Sequence, residues 1–226
     1  MAFAVPQMSL FLGIIPALLI LWLGLRGYEG MYKDKNIFLF FIVGIILGFI
    51  IALLELFTTA VGIIYIILFP IVEQMGKVII LNLGRFHEKR ETVIYGMALG
   101  LGFGSIFLPA SLLGNKSTDL VSFLFIMIGS IGIIFFQAAA GILIGNGVYR
   151  SKLATYTTLA ILLELPITGG FFISTYLKMP YLQSLVIVYG ILVFWYTLHY
   201  VLPGIKKDTE RRKRVAKEEP KPQPKT

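Results

Sequence analysis

The chain has 226 residues, 57% of them hydrophobic, a mean hydropathy of +0.85 and a formal net charge of +8. A water-soluble domain is about 45–50% apolar, so this composition excludes one and leaves no sizeable soluble part to carry separate chemistry. The chain has no cysteine, which excludes disulfides, thiol nucleophiles and thiolate metal sites.

Seven apolar segments follow in chain order, at about 8–25, 37–57, 60–84, 93–113, 120–145, 153–176 and 182–203. Each is long enough to cross a hydrocarbon core about 30 Å thick. Their apolar runs are continuous rather than alternating, which argues against a barrel. The predicted fold is all-α: a polytopic membrane helical bundle over residues 1–203, then a basic, disordered tail over 204–226. Met1–Leu10 carries no basic residue, so the first segment is expected to be a retained span rather than a cleaved signal.

The second and third segments form one apolar stretch from Ile37 to Val72, interrupted only by Glu55, Thr58 and Thr59. As one helix it would be about 54 Å long, too long for one ordinary crossing, so a reversal is expected near Thr58–Thr59. Charge agrees. With the N-terminus outside and the C-terminus inside, the inner loops receive Arg26, Lys33, Lys35, Arg85, Lys89, Arg90, Arg150 and Lys152, together with the tail. Only Lys116 and Lys178 fall outside, and Lys77 lies within a span. Fusing spans two and three would put adjacent basic loops on opposite faces, against the positive-inside rule.

Four ionisable residues lie inside the apolar runs: Glu55, Glu73, Lys77 and Glu164. Insertion of a mid-membrane Asp, Lys or Arg costs roughly 2.5–3.5 kcal/mol, so such groups are expected to pair and to mark a site. Glu73 and Lys77 are four apart on one helix face and can pair directly. Glu55 is expected near a membrane edge beside Thr58 and Thr59. Glu164, two residues before Pro166, is expected to be protonated, to bond backbone freed by that proline, or to join the polar centre. Gln74, Asn82 and Gln137 are expected to be hydrogen-bonding glue between helices. Gly96, Gly100 and Gly104 form a doubled small-residue stripe on the fourth span, and Gly141 and Gly145 repeat it on the fifth. Such stripes allow close helix approach, inside one subunit or at a dimer interface.

Phe69-Pro-Ile-Val-Glu73-Gln74-Met-Gly-Lys77, a short basic loop, and then Thr92-Val-Ile-Tyr95-Gly96-Met-Ala-Leu-Gly-Leu-Gly102-Phe103-Gly104 resemble the PrsW family of intramembrane proteases, grouped with the CAAX-processing proteases. Ile14-Ile15-Pro16-Ala17 and Gly27-Tyr28-Glu29 fit that family's first span and loop, and the likeness covers about 1–176. The resemblance implies a helical bundle with a glutamate-centred hydrolytic site. The chain departs from the family at the positions that would do the chemistry. The second glutamate of the first motif is Gln74. The family's glutamate and asparagine after Gly-Phe-Ala fall on Phe107 and Leu108. One motif histidine falls on Gln137, and the other falls on Pro166, at the start of Pro166 to Gly170.

Hydrolysis needs a base or metal to activate water and a stabiliser for the oxyanion. A catalytic zinc usually takes three protein ligands, and Glu73 alone survives of the family's set. A Ser105–Lys77 dyad can be drawn, but Lys77 is better employed beside Glu73. The expectation is therefore a degenerate, non-proteolytic member, a pseudoprotease that acts as a binding or scaffold protein in the cell membrane. No cofactor is expected, with zinc reserved for the alternative of an active protease rearranged around Glu73, with Glu55 or Glu164. A third alternative is a small ion- or proton-coupled transporter. Expected partners are the lipid bilayer, another membrane protein or transmembrane segment, and anionic lipid at the tail. Nucleic acid is not expected, because the tail lacks interleaved aromatics.

Overall fold

The structure is a computed structural model that describes residues 5–58, 64–114, 120–177 and 179–206. The tail from 207 onward, Thr59, Lys116 and Lys178 lie outside the described residues. Eight α-helices are described: α1 (Val5–Leu25), α2 (Asp34–Thr58), α3 (Ile64–Leu81), α4 (Glu91–Gly104), α5 (Phe107–Gly114), α6 (Leu120–Tyr149), α7 (Leu153–Tyr176) and α8 (Ser184–Tyr196). α8 runs on through a wider π-turn at Thr197–Val201. Six segments are long and apolar enough to cross a membrane, one of them formed by α4 and α5 together. α1 is apolar over the shorter stretch Leu10–Leu25.

The long apolar stretch is two helices, α2 ending at Thr58 and α3 starting at Ile64. The fourth segment, expected to be continuous over 93–113, is instead broken between Gly104 and Phe107. Pro109 accounts for the break. It has no N–H to give to the Ser105 carbonyl four residues back, and its ring crowds that turn. The chain tightens there, with the Ile106 amide donating to the Phe103 carbonyl at 3.4 Å and the Ser105 hydroxyl to the Gly102 carbonyl at 2.7 Å.

α4 is the axis of the bundle. All of its residues from Thr92 to Gly104 are buried. It packs against α6 on one side and α2 on another, and α1 and α3 also touch it. A Cβ built on Gly96 would collide with the Gly141 carbonyl oxygen, and one on Gly100 would fall against the Gln137 carbonyl. The stripe on α4 is therefore filled by α6 of the same chain, which lets the backbones come closer than any side chain would permit. α6 in turn carries α7 and α8, and α3 packs on α7. Apolar side chains such as Trp22, Phe38, Ile79, Leu162 and Leu185 face outward on the peripheral helices, as lipid-facing surface requires.

Tyr95, fully buried on α4, ties the first loop to this axis. Its ring stacks on Phe40 at 5.1 Å, and its hydroxyl accepts from the Lys33 amide at 3.3 Å and from Asn36 Nδ2 at 3.1 Å. At the same end of the bundle, Lys206 sits over the Tyr28 ring at 4.3 Å.

Candidate functional site

α3 is amphipathic in the inverted sense. Ile64, Ile67, Leu68, Met75 and Ile79 face outward, while Phe69, Pro70, Glu73, Gln74, Lys77, Val78 and Leu81 are buried. The spacing of Glu73, Gln74 and Lys77, three and four apart, puts all three on one helix face. That face meets α6 at Gln137 and α7 at Glu164, so residues 60 to 90 positions apart in the chain form one cluster. Its five members are almost wholly removed from solvent, the most accessible being Glu73 at 5%.

The hydrogen bonds close on themselves. Gln137 is the hub: its Nε2 donates to Glu73 Oε2 at 2.6 Å and to Glu164 Oε1 at 2.7 Å, and its Oε1 accepts from Lys77 Nζ. Gln74 Nε2 donates to Glu164 Oε2 at 2.5 Å, while its Oε1 accepts from Lys77 at 3.2 Å. The third side of the ammonium faces the Phe103 ring at 4.2 Å, a contact worth about 2 kcal/mol when desolvated. Glu73 and Glu164 thus accept from the same Gln137 nitrogen, which holds the two carboxyls side by side.

The cluster brings together Glu73, Gln74, Lys77, Gln137 and Glu164, all five of the polar residues expected at the centre. The pairing within it differs from the direct Glu73–Lys77 contact read from the spacing. The ammonium is bound by two amide oxygens, and Gln137 relays it to both carboxyls. Ser105 is not part of the site, its hydroxyl being turned to the Gly102 carbonyl. Asn82 lies beyond α3 and contacts His87. The glycines Gly96, Gly100 and Gly104 back the site from α4 by holding α6 close.

Next to the cluster is a cavity of about 400 Å³. Glu55, Glu73, Gln137 and Glu164 line it, and so do Tyr65, Phe107, Phe171, Phe172 and Tyr176. It extends toward Tyr176 and Gln183, and Tyr176 lies twelve residues beyond Glu164 on α7, about 18 Å along a helix. Glu55, expected at a membrane edge, thus stands on the wall of the same cavity as Glu73 and Glu164. Sequence reasoning missed the aromatic lining and Phe103. Phenylalanines are common throughout these spans, and nothing in their spacing marks the ones that face inward.

Among the described residues no three His, Cys, Asp or Glu side chains are grouped so as to hold a metal ion. Glu73 and Glu164 are the only acidic pair placed together in the cluster itself, with amides in the remaining positions. In comparison with known proteins, the chain matches no family model, no curated protein and no solved structure.

Proposed function

We propose that this chain is a PrsW-like helical bundle that has exchanged hydrolysis for binding, and that it serves in the cell membrane as a scaffold or regulator holding an apolar ligand or a transmembrane segment. In this reading the bundle has seven spans, with α1 as the first, α4 and α5 together as the fourth, the N-terminus outside and the C-terminus inside. The basic residues of the inner loops support that orientation. Gln137 carries the functional reading. It stands where the resemblance expects a histidine, and it spends both amide hydrogens on Glu73 and Glu164 and its oxygen on Lys77. A glutamate that activates water needs a lone pair directed at that water, whereas these carboxyls are engaged by the Gln137 and Gln74 amides.

The test is incubation of the purified full-length chain with transmembrane peptides, with and without chelator, and mass analysis of the products. No cleavage is expected from wild type. Glu73→Ala is expected to lower stability or partner binding without removing any product. Reproducible cleavage abolished by Glu73→Gln would overturn the reading.

One observation favours a second reading, an active protease. Glu73 and Glu164 accept from one Gln137 nitrogen on the wall of a cavity, and two neighbouring carboxyls can act as acid and base toward a water molecule. The same assay decides it, because cleavage through such a pair would be lost in both Glu73→Gln and Glu164→Gln.

A further inference from the structure

We infer that the cavity between α2, α3, α5, α6 and α7 is a binding site for a lipophilic ammonium ion, with the charged head at the Glu73–Glu164 end and the apolar body between the aromatic rings. The inference rests on the binding reading above and names the chemical class of its ligand. Three facts carry it.

The first is the sign of the lining. Among the described residues Glu55, Glu73 and Glu164 face the cavity, and no lysine, arginine or histidine does. Lys77 of the neighbouring cluster is absent from the wall, because its ammonium is turned toward Gln74, Gln137 and the Phe103 ring. An anionic ligand would meet acidic side chains from three helices. A cation would meet acceptors in a water-poor site, where charge-assisted hydrogen bonds are strong.

The second is the rest of the wall. Tyr65, Phe107, Phe171, Phe172 and Tyr176 supply aromatic faces, and Phe107 and Phe171 stand 5.8 Å apart between ring centroids. Ammonium groups are attracted to such faces, and aromatic walls with a carboxylate at one end are a recurring way to hold them. Gln183 also lines the cavity, and its buried Oε1 has no hydrogen-bond donor, so it offers one further acceptor and no competing charge.

The third is size. About 400 Å³ is at the small end of the range for small-molecule sites, roughly 300–1,000 Å³. That suits a short alkyl or aryl amine and is too small for a whole helix.

The experiment uses the full-length protein in nanodiscs of neutral phosphatidylcholine and three probes with one tail: octylammonium, octanol and octanoate. Affinity is read by equilibrium dialysis of labelled probe and by the shift in thermal unfolding. Octylammonium is expected to bind at least tenfold tighter than octanol, with octanoate weakest. The Glu73→Gln, Glu164→Gln double variant should lose the preference for the amine over the alcohol. Ala110→Trp, which fills the cavity from α5 and leaves the polar cluster untouched, should abolish saturable binding of both. If the double variant does not fold, Glu55→Gln takes its place and should reduce the amine preference severalfold. Equal binding of amine and alcohol to wild type, or saturable amine binding that survives Ala110→Trp, would overturn the inference. Neither result touches the cleavage assay, on which the broader binding reading stands or falls separately.

Discussion

Lys77 is fully buried, and yet no carboxylate has to touch it. Its three ammonium directions are met by two amide oxygens and a ring face, and the negative charge is brought near through Gln137. Gln137 therefore has the most to lose. It makes three hydrogen bonds between helices, and bonds of this kind in membrane bundles average about 0.6 kcal/mol and reach about 1.7. Gln137→Leu is expected to cost about 2–5 kcal/mol in unfolding from mild detergent. Ser130→Ala on the same helix, which removes only a bond to the Ile126 carbonyl one turn back, should stay within about 0.5 kcal/mol. Equal losses from the two would show that the cluster contributes nothing special. Which residues belong to this site could be read from the sequence, because a polar side chain in an apolar run needs a partner. Who bonds to whom could not. Spacing reveals partners on one helix, such as Glu73 and Lys77, but is silent about a glutamine 60 residues away.

At the scale of the helices, the close pairing of α4 with α6 positions everything else, since Gln137 reaches α3 only if α6 lies tight against the axis. The Gly96 and Gly141 backbones are in contact, so even a methyl group must push the helices apart. Gly96→Ala is expected to cost at least about 3 kcal/mol, beyond ordinary overpacking because the obstacle is backbone. Gly170→Ala on α7 is the control. A Cβ there meets nothing within 4 Å, and alanine is better than glycine in a helix by up to about 1 kcal/mol, so that variant should be neutral or slightly stabilised in thermal unfolding. The helices themselves were almost entirely legible in the chain, because continuous apolar runs bounded by charged loops leave little choice. The exceptions have local causes. The break between α4 and α5 comes from Pro109. At α7, Pro166 leaves a gap in the backbone bonding, and Tyr189 from α8 donates to the neighbouring Leu163 carbonyl at 2.7 Å. The glycine stripe was legible as a close-packing surface, but the sequence alone did not say whether a helix of the same chain or of a second copy would fill it. The contact with Gly141 assigns it to α6.

For the whole molecule, the decisive quantity is the distribution of positive charge. Arg26, Lys33 and Lys35 precede or open α2, Arg85, Lys89 and Arg90 lie between α3 and α4, and Arg150 and Lys152 lie between α6 and α7. With alternating crossings all three groups fall on one side, and Lys206 joins them over Tyr28. In the proposed orientation, which the positive-inside bias supports, that side is the cytoplasmic one. It also sets the direction of the cavity, which extends toward Tyr176 and Gln183, at the ends of α7 and α8 away from those basic loops. The site would open outward, so a ligand would arrive from outside the cell or from the outer leaflet. The natural chain has no cysteine, which makes a direct measurement available with single substitutions. Both Lys152 and Tyr181 are exposed. In intact cells, Tyr181→Cys is expected to react with a membrane-impermeant maleimide, and Lys152→Cys only after the membrane is opened. The reverse pattern would invert the molecule and turn the cavity toward the cytoplasm. Labelling of both positions in sealed cells would mean an even number of crossings between positions 152 and 181, so that α7 would not cross once, which would remove the seven-span arrangement and with it the outward-facing site.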